Sequence, residues 1–115
     1  LPLTDETRFL VNTQFLARFR KPIYLINTAR GKIVETAALV AALKTGHVAG
    51  AALDVLEYEK TSFEQLHKSD LPADFDYLIH APNVVLSPHI AGWTHESNIK
   101  LSTYTADRII RALLS

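Results

Sequence analysis

Apolar and polar positions fall in blocks along this 115-residue chain, and three apolar blocks end alike. Ile23-Tyr24-Leu25-Ile26 runs into Asn27-Thr28-Ala29-Arg30-Gly31, Ala51-Ala52-Leu53 runs into Asp54, and Val84-Val85-Leu86 runs into Ser87-Pro88-His89. Pro22 stops any helix ahead of the first block, which predicts a strand over 23–27. Val48–Val55 is apolar without alternation, the pattern of a strand covered on both faces in a parallel sheet. Between these two lies a helical stripe of Leu39, Ala42 and Leu43 over about 36–45, followed by Gly46 where a left-handed cap is expected. Strand, helix and strand at this spacing predict a right-handed βαβ unit.

Shorter elements flank that unit. Residues 1–7 read as a loop, and Asn12 as the N-cap of a short helix through Phe19 with Phe15, Leu16 and Phe19 on one face. Residues 28–34 form a turn held by Gly31. From Leu56 to Asn83 the pattern loosens: Ser62-x-x-Gln65 is placed to cap one helical turn, and Asp74 another carrying Phe75, Leu78 and Ile79. A connection this long inside a compact unit is more often functional than neutral. Val84–Ser87 is the third strand, and Thr94 opens a last helix to about Leu114 with Ile99, Ala106, Ile110 and Leu113 at helical spacing. Leu1-Pro2-Leu3-Thr4 reads like the tail of an earlier element, so a longer parent chain is expected.

Composition narrows the class. A hydrophobic content of 48% with 21% charged residues suits a globular domain rather than a disordered chain. Twelve basic residues balance twelve acidic ones, which gives no reason to expect a nucleic-acid or membrane partner. The absence of cysteine removes disulfides and thiolate metal sites and fits a reducing, cytoplasmic setting. His47, His67, His80 and His95 lie in separate elements without paired spacing, so they read as surface residues and no metal site is expected.

Ligands of open parallel sheets bind beyond the carboxyl ends of the strands. By that rule Arg30, Asp54, Glu59 and His89 converge on one edge. A guanidinium holds a carboxylate through two parallel hydrogen bonds, and an imidazole exchanges a proton near neutral pH. The set suits proton movement at a carbonyl or hydroxyl. Each residue also has a plainer reading. Asp at a strand end commonly caps neighbouring backbone, His after Ser-Pro is often a satisfied loop residue, and Arg before Gly is often a surface residue. Their shared edge favours the chemical reading.

Asn27-Thr28-Ala29-Arg30-Gly31, Ala51-Ala52-Leu53-Asp54-Val55 and Ser87-Pro88-His89-Ile90-Ala91-Gly92 resemble, in order, the signatures of the D-isomer-specific 2-hydroxyacid dehydrogenases. Pro2-Leu3-Thr4-Asp5-Glu6-Thr7 resembles a turn of the same family. The resemblance implies an α/β fold, the second half of a Rossmann-type doubly wound parallel sheet. Residues 1–92 would be the C-terminal part of an NAD-binding domain, and residues 93–115 a helix returning to a substrate domain. It implies hydride transfer between NAD(H), with NADP left open, and a D-2-hydroxy acid or 2-keto acid. Arg30 would bind the substrate carboxylate and carbonyl, His89 would exchange the proton, and Glu59 would pair with His89. Asp54 would meet the nicotinamide carboxamide, with Pro2, Thr7, Thr28, Ala29 and Arg30 also on the cofactor side. A homodimer acting on a small-molecule acid is expected.

Three departures qualify the picture. Lys60 stands where the family usually shows proline, so Glu57 competes with Glu59 as the His89 partner, although the spacing from Asp54 favours Glu59. Trp93 either narrows the pocket or packs under the last helix. Gly31, Gly46, Gly50 and Gly92 are the only glycines, so no G-x-G-x-x-G is present, and the pyrophosphate-cradling half is expected upstream. Two rival classes are a non-catalytic, NADH-sensing co-repressor-like relative, against which Arg30, Glu59 and His89 count, and a plain binding module.

Overall fold

The structure, a computed structural model, describes residues 1–58 and 72–114. Its elements in chain order are α1 (Thr13–Leu16), β1 (Ile23–Asn27), a 3-10 turn (Gly31–Ile33), α2 (Thr36–Lys44), β2 (Val48–Leu53), α3 (Ala73–His80), β3 (Val84–Leu86) and α4 (His95–Leu114). The three strands form a parallel sheet in the order β1-β2-β3. The βαβ unit is therefore present, with β1 over the expected residues and β2 and β3 two residues and one residue shorter at their carboxyl ends than the apolar runs suggest.

Helix starts follow local chemistry. Asn12 caps α1 by accepting from the Phe15 amide at 3.0 Å, but the helix ends at Leu16 rather than Phe19. α2 has no local side-chain cap; its Thr36 amide donates instead to the Glu57 carboxylate at 3.0 Å, from beyond β2. Gly46 closes the helix with φ +77°, the left-handed geometry that glycine adopts without steric cost. α3 starts after Pro72, which fixes an extended approach, so Asp74 lies inside the first turn and is not the cap. Phe75 and Leu78 are buried on α3 as the spacing predicts, whereas Ile79 is exposed. The Thr94 hydroxyl caps α4 by accepting from the Ser97 amide at 3.0 Å. The Ser62-x-x-Gln65 turn lies outside the described residues.

The core sits on one side of the sheet. Leu16, Leu39, Leu43 and Leu78 pack with Val48, Ala51 and Leu53, and Leu25, Val84 and Leu86 join from the neighbouring strands. The opposite face is open: Tyr24 and Ile26 of β1 and Val85 of β3 are 79%, 72% and 67% exposed. β2 carries no exposed residue, as its continuous apolar run predicts, although on the open face its Gly50 and Ala52 lie beside the exposed side chains of β1 and β3. α4 buries none of its residues, leaving Ile99, Ile110 and Leu113 in solvent. His47 corrects its surface assignment: it is half-buried, and Nε2 donates to the Leu16 carbonyl at 2.8 Å, tying α1 to the start of β2.

Gly31 is fixed by close approach. It is buried, and a Cβ there would overlap the Leu56 carbonyl and lie 2.7 Å from the Glu57 nitrogen. Gly31→Ala is expected to cost about 3 kcal/mol or more, because backbone rather than a flexible side chain must yield. Gly46→Ala meets nothing within 4 Å and carries only the cost of positive φ, about 1–2 kcal/mol. Urea unfolding midpoints of the two variants check the order; equal losses would refute the close-contact account.

Candidate functional site

Strand register brings the three polar ends together. Asn27 pairs with Leu53 and Leu53 with Leu86, so Thr28, Asp54 and Ser87 leave the sheet side by side. The N-terminal segment joins this edge through backbone bonds from Phe9 to Lys32, Val11 to Ile33 and Glu35 to Val11. Pro2 and Thr7 belong to that segment. The Thr7 hydroxyl donates to the Pro2 carbonyl at 2.8 Å and accepts from the Thr4 amide at 2.8 Å, which folds the turn on itself.

Asn27 shapes the loop that presents Arg30. It is buried; Oδ1 accepts from the Ala29 amide and Nδ2 donates to the Arg30 carbonyl, both at 3.1 Å. The Arg30 side chain is exposed, and its Nη1 donates to the Ala29 carbonyl at 2.7 Å. Thr28 is exposed and Ala29 half-buried beside it. Asn27 went unassigned in the sequence reading, although an Asn ending an apolar strand is itself a turn signal.

Asp54 is the most connected group of the edge. The residue is 5% exposed, and its carboxylate accepts three hydrogen bonds from the third motif: Ser87 Oγ at 2.6 Å and the Ile90 amide at 2.8 Å on Oδ1, and the Ala91 amide at 3.0 Å on Oδ2. The Asp54 amide donates to the Asn27 carbonyl and its carbonyl accepts from the His89 amide, so one residue links all three strand ends. The capping reading of Asp54 is thus realised, across 33 to 37 residues of sequence. The Ser87 hydroxyl holds the carboxyl below its ordinary value; the Ala91 and Ile90 amides and the His89 charge add to this against the cost of burial.

His89 sits on this loop with φ +57°, in the left-handed region that non-glycine residues seldom occupy. With Asp54, Leu56, Phe75, Leu86, Ser87 and Pro88 it lines a cleft of about 600 Å³. Arg30 is not among the lining residues. Glu59 lies outside the described residues. Its competitor Glu57 has its carboxylate on the Thr36 amide, where it serves α2. Trp93 is 79% exposed, so it does not pack under the last helix, and it is not among the residues lining the cleft. Among the described residues no group of three or more His, Asp or Glu is placed to hold a metal ion, and no helix is long and apolar enough to cross a membrane.

The cleft joins apolar walls from Leu56, Phe75, Leu86 and Pro88 to the polar groups of Asp54, Ser87 and His89, the mixture usual for a small-molecule site. Among the described residues, the N-termini of α2, α3 and α4 do not suit a pyrophosphate. That of α2 already holds a carboxylate, α3 carries Asp74 and Asp76 in its first turn, and α4 carries Glu96.

Parallel strands, a polar carboxyl edge and a one-sided core define part of a doubly wound, nucleotide-binding α/β domain. The family model described as D-isomer specific 2-hydroxyacid dehydrogenase, NAD binding domain, matches residues 1–91. The chain belongs to that family. It is 45% identical over 113 residues to a glyoxylate reductase of Thermofilum pendens, covering 98% of this chain and 30% of that protein. A D-isomer specific 2-hydroxyacid dehydrogenase from Lactobacillus delbrueckii ssp. bulgaricus, solved with NAD, matches with a TM-score of 0.75 at 41% identity, over 84% of this chain and 30% of that one. The D-lactate dehydrogenase of Aquifex aeolicus, solved with NAD and lactic acid, matches with a TM-score of 0.72 at 31% identity, over 99% of this chain and 35% of that one. The chain thus spans about 30% of the length of the glyoxylate reductase it matches.

Asp54 gives a pH-dependent test. Its carboxyl titrates lower when folded than when unfolded, so its contribution is complete above the unfolded value near 3.8 and is lost as pH falls through the folded one. Asp54→Asn places an NH2 against backbone or hydroxyl donors and is expected to lower the denaturation midpoint at pH 7. The gap to wild type should shrink below pH ~4, as the native carboxyl protonates. A gap that stays constant from pH 7 to pH 3 would refute the charged clamp.

Proposed function

We propose that this chain serves as the second half of the NAD-binding domain in an NAD-dependent D-2-hydroxyacid dehydrogenase, reducing a 2-keto acid to the D-2-hydroxy acid and reversing that reaction. The supporting observation is the strand register that sets the Arg30, Asp54 and His89 motifs on one edge. The bound nicotinamide supplies or accepts the hydride; the protein supplies placement, charge and a proton.

Arg30 binds the substrate carboxylate through its planar fork and polarises the carbonyl oxygen. His89 donates a proton to that oxygen in reduction and takes it back in oxidation. Glu59 pairs with His89 and holds its ring in place. Asp54 faces the carboxamide, and Pro2, Thr7, Thr28 and Ala29 line the cofactor side with Arg30. NAD is the cofactor, with NADP open. The first half of the domain covers the free sheet face at Tyr24, Ile26 and Val85, and residues 93–115, mainly α4, dock on the substrate domain. The enzyme is a cytoplasmic homodimer.

In the complete protein carrying this chain, Arg30→Lys is expected to lower kcat/KM for 2-keto acids about 100-fold, because an ammonium cannot reproduce the two-pronged contact. His89→Gln should lower kcat by about 100-fold or more, through loss of the proton donor. NADH oxidation with a panel of glyoxylate, pyruvate and longer 2-keto acids checks both. A wild-type protein inactive on the panel, or variants as active as wild type, would overturn the proposal.

A further inference from the structure

His89 carries a backbone conformation that an L-residue does not adopt unaided, with φ +57°. Hydrogen bonds from His89 and the two residues after it, chiefly to Asp54, hold it there. The His89 amide donates to the Asp54 and Ser87 carbonyls at 2.9 and 3.0 Å. The next two amides, Ile90 and Ala91, both donate to the Asp54 carboxylate. The carboxylate is in turn oriented by Ser87 Oγ at 2.6 Å, the shortest bond it receives from the loop. A hydroxyl–carboxylate bond of that length belongs to the strong, charge-assisted class. Ser87 is half-buried and lines the same cleft as His89. Its hydroxyl is committed to Asp54 rather than to the cleft.

We propose that Ser87 is a positioning residue for the reaction. By orienting the Asp54 carboxylate it keeps the Ile90 and Ala91 amides in place, and these hold His89 in its left-handed conformation with the imidazole at the cleft. Loss of the hydroxyl leaves Oδ1 with one donor in place of two and frees the carboxylate to turn. His89 then relaxes toward the ordinary right-handed or extended regions, and its ring leaves the position from which it serves the carbonyl oxygen. The effect falls on the proton-transfer step, since Arg30 is held by a different loop through Asn27. This inference rests on the reading of His89 as the proton donor.

The test uses the complete protein with NADH and its best 2-keto acid. Ser87→Ala is expected to lower kcat about tenfold, the rate equivalent of one charged hydrogen bond, with KM for the keto acid within about threefold of wild type. Ser87→Thr restores the hydroxyl and is expected to return kcat to within about twofold of wild type. If Ser87→Ala does not accumulate as folded protein, Ser87→Cys takes its place, being near in size and a far weaker donor. A Ser87→Ala enzyme with wild-type kcat overturns the inference when His89→Gln is inactive. So does a Ser87→Thr enzyme as slow as the alanine variant. Inactivity of wild type itself, or full activity of His89→Gln, would instead remove the underlying reading of the site.

Discussion

One buried carboxylate connects the parts of this structure that matter chemically. Asp54 ends the central strand, and its side chain receives one hydroxyl and two amides from the loop after β3 while its own amide bonds the end of β1. An acidic group this far from solvent is tolerated because hydrogen bonds replace its lost hydration. Its partners lie more than thirty residues away, so the contact forms only once the parallel sheet is in register. The geometry around His89 is therefore a property of the assembled sheet and not of the local Ser-Pro-His sequence.

The same dependence runs through the second side of the edge. Arg30 is placed by the Asn27 side chain, which closes a short turn on itself, and by Gly31, which lies against the backbone after β2. Glu57 then crosses to the N-terminus of α2. Strand ends, turn and helix start are held by a few polar contacts above a core of Leu16, Leu39, Leu78 and Val48. The core supplies the burial that stabilises the sheet, and the polar contacts decide where individual groups stand.

Much of this arrangement was legible in the sequence. The strands over Ile23–Asn27, Val48–Leu53 and Val84–Leu86 follow from uninterrupted apolar runs, and the left-handed cap at Gly46 from glycine placement after a helical stripe. The motif residues Arg30, Asp54 and His89 were found because each follows an apolar run within four residues. The services of Ser87 and Glu57 were not legible, since partners 33 and 21 residues away depend on how strands and helices assemble and not on neighbours, whereas Asn27 serves a local turn. His47 was missed for a related reason: an isolated polar residue gives no periodic signal of burial. The open apolar faces of β1 and α4 were legible, because a chain without the pyrophosphate-cradling half leaves both without cover, whereas an apolar run does not say which segment supplies that cover.

The contact at Gly31 has a consequence for how such a chain can vary. Where two side chains crowd each other, a larger residue on one side is readily offset by a smaller one on the other. Here the neighbour is main chain at Leu56 and Glu57, present whatever amino acids occupy those positions. No second substitution can make room without rerouting the backbone beyond β2. Position 31 is thus closed to gradual drift, and the loop carrying Arg30 is bound to the segment that leads on from β2 as one rigid junction.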